Sequence, residues 1–116
     1  MRHLKKGRKF GRIRSQRKAL LRNLAYSLVM HERIVTTEAK AKELAPEIAK
    51  LITIARGGSL ASRRHLAEHV PQAAAKKLAT VFAPRFEKRS GGYTRIIKLG
   101  PRKSDAAREA LIEFVQ

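Results

Sequence analysis

The sequence predicts an α+β domain in which several helices pack on one face of a small three-stranded sheet, led by a basic, extended N-terminal arm. Three observations predict it. Apolar residues recur at the three-and-four spacing of amphipathic helices through much of the chain. Three short β-prone stretches, around Ile34, between Tyr93 and Leu99, and between Ala110 and Val115, read as strands. The N-terminus carries many cations, no acid and too few apolar residues to offset its own ordering entropy.

The arm is Met1 to Arg14, where Gly7 and Gly11 interrupt any helical pattern, and it reads as disordered in the absence of a partner. From Met1 to Arg22 no acidic residue occurs, while Arg2, Lys5, Lys6, Arg8, Lys9, Arg12, Arg14, Arg17, Lys18 and Arg22 are all basic. Ser15 is placed to cap a first helix that runs to about His31 on Leu21, Leu24, Ala25 and Leu28. On that helix Arg14, Lys18 and Arg22 fall four residues apart, so the arm's charge continues as a ridge beside the apolar stripe.

Arg33 to Thr36 is a short strand on β-branched residues, after which Thr37 caps a second helix with Glu38 in its first turn. The apolar stripe Ala41, Leu44, Ile48, Leu51, Ile52 and Ala55 carries this helix to about Arg56, and Gly57 and Gly58 end it. Pro46 sits inside it, which predicts a kink or two shorter helices end to end. Ser59 caps a third helix through about His69. Pro71 opens a fourth, carrying Ala74, Leu78, Val81 and Phe82 until Pro84. Tyr93 to Leu99, closed by Gly100 and Pro101, pairs with Ala110 to Val115, and the Ile34 strand joins one of them. Residues 15–116 thus form a single domain, as expected for a chain of this length.

Charge restricts the function. With 27 Lys and Arg against 9 Asp and Glu, the net charge is +18. A field of that size favours a polyanionic partner. No apolar run approaches the roughly 20 residues of a membrane span, and the N-terminus lacks the apolar segment of a secretory signal, so an intracellular protein without a membrane partner is expected. The absence of cysteine excludes disulfides and thiolate metal sites.

Two basic groups are the candidate binding residues. The first is the arm with its ridge, where Arg supplies planar forks for phosphate, Lys supplies point charges, and His3 and Phe10 are interspersed. The second is Arg85, Lys88, Arg89 and Arg95 about the Gly91–Gly92 turn, followed by Tyr93. Such a turn can offer backbone donors and an aromatic face to unpaired nucleotides. The alternative is that Tyr93 only packs on the sheet and these arginines are solvated. Arg63 and Arg64 on the third helix form a weaker pair. His65, Glu68 and His69 spell H-x-x-E-H, but a catalytic zinc needs a third ligand and a substrate cleft. No nucleophile, base and orienter set can be assembled, and neither glycine pair opens a phosphate-binding loop. Hence no catalytic residue, metal, cofactor or small-molecule substrate is expected.

Several segments resemble the bacterial-type large-subunit ribosomal protein seventeen family. These are M-R-H at the start, G-R-K at Gly7 to Lys9, R-N-L-A-x-S-L-V from Arg22 to Val29, H-E at His31 and Glu32, and T-T at Thr36 and Thr37. K-A-K-E-L from Lys40 to Leu44, P-R-F at Pro84 to Phe86 and G-G-Y-T-R-I from Gly91 to Ile96 complete them. The middle, from about Gly57 to Ala83, is least similar. The resemblance implies a structural constituent of the large subunit of the bacterial, cytoplasmic ribosome. It would bind ribosomal RNA near the peptide exit region beside other large-subunit proteins, with the N-terminal extension threaded into RNA. The charge alone is also compatible with a DNA-binding nucleoid-type protein, which should prefer duplex DNA over structured RNA at equal salt.

Overall fold

The computed structural model describes residues 8–116. Among the described residues the elements are α1 (Arg14–His31), β1 (Arg33–Thr37), α2 (Glu38–Arg56), α3 (Leu60–His69) and α4 (Gln72–Lys77). A π-helical turn, Leu78–Phe82, then leads into a last helical turn, α5 (Ala83–Arg85), before β2 (Thr94–Pro101) and β3 (Arg108–Phe114). The three strands form one antiparallel sheet in the order β1-β3-β2. The α+β class expected from the sequence is therefore what the chain adopts.

α2 lies at the centre, packing on all three strands and on α1 and α3. All six residues of its expected stripe, Ala41, Leu44, Ile48, Leu51, Ile52 and Ala55, are buried. Thr37 caps it as expected, its side chain accepting from the Lys40 N–H at 3.3 Å. Pro46 divides nothing: α2 is one helix from Glu38 to Arg56. Pro46 is on an exposed face, so the Lys42 carbonyl that loses its usual donor can turn to water, and the packed stripe carries one helix past it.

The sheet is two-faced. Ala110, Ile112 and Phe114 of β3 point into the core, and Ile34 and Ile96 flank Ile112 on either side. The alternate row, Val35, Leu111 and Ile97, lies on the outer face, where Val35 and Ile97 are exposed. β2 does not stop at Gly100 as expected. A bulge between Lys98 and Gly100 absorbs one residue, and pairing resumes through Pro101 with Arg108. Gly100 takes φ +95° there, which a side chain would resist.

Two helix starts and one helix end differ from expectation. Ile13, not Ser15, is the N-cap of α1, and it makes no side-chain capping bond. The reason lies upstream: Phe10 and Gly11 both have positive φ, and the Arg12 N–H donates to the Lys9 carbonyl at 3.1 Å. This tight turn delivers the chain into helical geometry one residue before the serine. Pro71 is the N-cap of α4 and not its first helical residue. Pro84 does not end the helical segment, which continues to Arg85.

The π turn changes which side chains face inward. It inserts an extra residue per turn, so the inward stripe passes from Leu78 to Phe82 and Phe86, and Val81, expected in the core, is exposed. Phe82 and Phe114 stand 4.2 Å apart between ring centroids, and Phe86 lies 5.1 Å from Tyr93. Four of the chain's six Phe and Tyr rings are thus gathered where the π turn meets β3. Replacing Phe82 with Ala should cost about 3–5 kcal/mol, whereas Val81→Ala should stay within about 1 kcal/mol. Urea denaturation of the two variants checks this; equal losses would mean that Val81 shares the core.

Candidate nucleic-acid interface

Six of the nine carboxylates pair with cations of the folded body, and that decides which cations remain available. Three glutamates each bind two cations. Glu113 on β3 lies between Arg33 of β1 at 3.1 Å and Arg95 of β2 at 2.7 Å, forming a cross-strand ladder on the outer sheet face. Glu38 takes Lys42 at 2.8 Å and Lys98 at 3.6 Å. Glu32 takes Arg85 at 2.9 Å and Lys77 at 3.6 Å.

Glu32 does more than pair. It sits at the left-handed C-cap of α1 with φ +66°, its N–H donating to the Leu28 carbonyl at 2.7 Å and its carbonyl accepting from the Phe114 N–H at 3.2 Å. One residue thus ends α1, begins the path into β1 and fixes two cations of the α4–α5 segment. The hydrogen bond from Arg85 holds the Glu32 carboxyl below the ordinary carboxylate range, against the opposing effect of partial burial. Arg95 does the same for Glu113, and Lys42 for Glu38.

α1 differs from that body. Arg14, Lys18 and Arg22 are exposed, and no carboxylate lies within salt-bridge distance of them among the described residues. Among the described residues the Arg17 guanidinium bonds only the Arg12 carbonyl, at 3.4 Å. No α1 residue before Ala25 is buried, so the N-terminal half of the helix stands proud of the core with its ridge intact. Ahead of it, Arg8 donates to the Ala39 carbonyl at 2.9 Å, tying the end of the arm to the start of α2. Lys9 and Arg12 are exposed. Arg2, His3, Lys5 and Lys6 lie outside the described residues.

The second basic group is divided by the fold. Arg85 is drawn to Glu32 and its guanidinium lies 4.8 Å from the Phe82 ring centroid. Arg95 is on the outer sheet face with Glu113. Only Lys88 and Arg89 stay with the Gly91–Gly92 turn, both exposed. Tyr93 is 3% exposed and packs on Phe86, so its ring is not presented at the surface. This corrects the sequence reading that offered it to nucleotides. A tyrosine two residues past the first glycine of a turn looks alike in either role until its neighbours are known.

Arg56 was not among the sequence candidates, yet it organises this turn. From the last turn of α2 its guanidinium donates to the Glu87 carbonyl at 2.9 Å, the Arg89 carbonyl at 2.6 Å and the Tyr93 hydroxyl at 2.9 Å. Nothing in the sequence distinguishes it from the other arginines, because its partners are mostly backbone atoms more than thirty residues away. α3 connects the two basic regions. Arg22 reaches from α1 to the Glu68 carbonyl at 3.3 Å, and on the other side of α3 His65 and His69 share a cleft with Ser90 and Gly91. Their rings lie 5.0 Å apart.

These features define a strongly cationic α+β domain in which acids staple the body and an exposed helix face is left positive. The chain belongs to the ribosomal protein L17 family, whose members' shared sequence pattern matches residues 20–115. It is 53% identical over 116 residues to the large ribosomal subunit protein bL17 of Shouchella clausii, covering 92% of this chain and 97% of that protein. The protein of the same name from Thermomicrobium roseum is 53% identical over 116 residues, covering 99% of each chain. That of Sphingopyxis alaskensis is 52% identical, covering 99% of this chain and 84% of the relative.

Two outcomes test the geometry. Glu32 and Glu113 have depressed folded-state pKa values, so their contribution is fully present above the unfolded carboxylate value and is lost as pH falls through the folded one. The melting temperature should therefore hold from neutral pH down to the ordinary carboxylate range and then fall. In the Glu32→Gln/Glu113→Gln double variant that acid-side slope should be shallower; an unchanged slope would assign the acid sensitivity elsewhere. Arg56→Ala should cost about 1–2 kcal/mol, since it removes charge-assisted hydrogen bonds at a partly solvated site. It should also speed amide exchange at Gly91, Gly92 and Tyr93 while leaving β3 protected. Uniform exchange across the sheet would show that Arg56 is not specific to the turn.

Proposed function

We propose that this chain is a structural constituent of the large subunit of the bacterial, cytoplasmic ribosome. In this reading it binds ribosomal RNA near the peptide exit region, beside other large-subunit proteins, and catalyses nothing. Family membership supports the subunit. The observation that carries RNA binding is the α1 ridge, where Arg14, Lys18 and Arg22 stand exposed with no carboxylate partner among the described residues.

The mechanism is electrostatic docking followed by engagement of the arm. The body from α1 onward acts as one preformed unit, which offers the ridge to the phosphate backbone, and condensed counterions are released as phosphates are neutralised. Lys88 and Arg89 at the Gly91–Gly92 turn add a second contact, positioned by Arg56. Arg85 and Arg95, already held by Glu32 and Glu113, contribute less. The arm ahead of α1 then closes on RNA through Arg2, His3, Lys5, Lys6, Arg8, Lys9 and Arg12. The Lys9–Arg12 turn and the Arg8 contact with α2 set the direction from which it leaves the body. Recognition rests on RNA shape and backbone geometry more than on base sequence. The biological role is to cement neighbouring RNA segments.

Sucrose-gradient sedimentation of a cell lysate tests this. The full chain should migrate with large subunits and resist moderate salt, and a variant lacking residues 1–14 should be released at lower salt. For purified protein and large-subunit ribosomal RNA, Arg14→Gln/Lys18→Gln/Arg22→Gln should flatten the slope of log affinity against log salt by about 2 to 3, at roughly 0.7 to 0.9 per phosphate contact. Protein remaining at the top of the gradient, or preferring duplex DNA over structured RNA at equal salt, would overturn the reading in favour of a nucleoid-type role.

A further inference from the structure

α1, α3 and α4 enclose a second cleft, on the opposite side of α3 from the histidine pair. Its volume is about 660 Å³, and it is lined by Leu66, Ala67, Val70, Pro71, Ala75 and Ala79. Arg22 from α1, Arg63 and Arg64 from α3 and Lys76 from α4 also line it, and no carboxylate does. Leu66 and Val70 are each 1% exposed, so the floor is part of the folded core and exists before any ligand arrives. The Arg22 bond to the Glu68 carbonyl holds the α1 wall against α3.

An apolar floor of small side chains surrounded by four cations suits a ligand with a flat, weakly polar part and an anionic part. A nucleotide has both. The volume lies within the range of pockets that take small organic ligands. Guanidinium planes stack on bases and pair with phosphate, so Arg63 and Arg64 can serve either half. A wholly aliphatic partner would leave the four cations uncompensated. A base inside a duplex could not reach the floor.

We propose that the α1–α3–α4 cleft takes a single unpaired nucleotide extruded from RNA, the base resting on Ala67, Pro71, Ala75 and Ala79 above the buried Leu66 and Val70, and its phosphates held by Arg63, Arg64 and Lys76. This rests on the RNA-binding reading given above and deepens it. The α1 ridge ends at Arg22, which is also a wall of the cleft, so RNA lying along the ridge is led directly to it. The ridge alone would read only backbone; the cleft adds a preference for a bulge or loop. It also gives Arg63 and Arg64 a defined role.

The test uses the full chain and two RNA hairpins of equal length, one fully paired and one carrying a single bulged 2-aminopurine. Wild-type protein should bind the bulged hairpin roughly tenfold more tightly, and its binding should change the 2-aminopurine fluorescence. Ala67→Leu fills the cleft from an exposed position and should reduce that ratio to about one, with affinity for the paired hairpin and the melting temperature unchanged. Arg63→Gln/Arg64→Gln should weaken binding to the bulged hairpin more than to the paired one. Equal affinity of the wild type for both hairpins, or an equal loss for both in these variants, overturns the cleft as a nucleotide site while leaving RNA binding in place. Failure to bind either hairpin or large-subunit ribosomal RNA overturns both.

Discussion

The rest of the structure depends on burial of one face of α2. Its stripe of six aliphatic residues meets α1 and α3 on one side and the inner face of the sheet on the other. Each buried aliphatic side chain contributes on the order of 1.5–3 kcal/mol, and here they are shared among helices and all three strands. This accounts for the tolerance of Pro46. A missing hydrogen bond on the solvent side of a helix matters little when both flanking turns are fixed by packing. It also fixes the position of Arg56, which leaves the end of the same helix and reaches the Gly91–Gly92 turn.

A second constraint follows from having few acids. In a chain with three times as many cations as carboxylates, the placement of each carboxylate decides which basic residues are structural. Glu113 binds the two edge strands to the central one, Glu38 binds α2 to β2, and Glu32 binds the α1–β1 junction to the α4–α5 segment. The charges left over on α1 and around α3 repel one another in the free protein. A polyanion relieves that repulsion, so the surface that destabilises the isolated chain is the one proposed above to bind RNA. In that reading folding and recognition draw on largely separate subsets of one residue type, with Arg22, bonded to the Glu68 carbonyl and standing on the ridge, common to both.

The π turn shows how a local irregularity serves both the core and the ion pairs. By shifting the inward stripe to Phe82 and Phe86 it places two rings against Phe114 and Tyr93 and completes the core. The same shift leaves Arg85 over the face of Phe82 and within reach of Glu32. An α-helical register would have turned Val81 inward, as the sequence suggests, and moved Arg85 away from its partner.

By itself the sequence determined what depends on local period and composition. The α+β class, the stripe of α2, the caps at Thr37 and Ser59, the three strands and the positive ridge of α1 all follow from spacing within one turn or one strand, where the physics is short-ranged. Tertiary structure decided what depends on partners far along the chain. Tyr93 is buried because Phe86 and Arg56 meet it. Arg85 and Arg95 lost their freedom to Glu32 and Glu113, while Arg63 and Arg64 acquired a cleft only when α1 and α4 closed around α3. An arginine looks the same in sequence whether it faces a carboxylate, a backbone carbonyl or water, because its function is set by which acceptors the fold brings within about 3 Å of it.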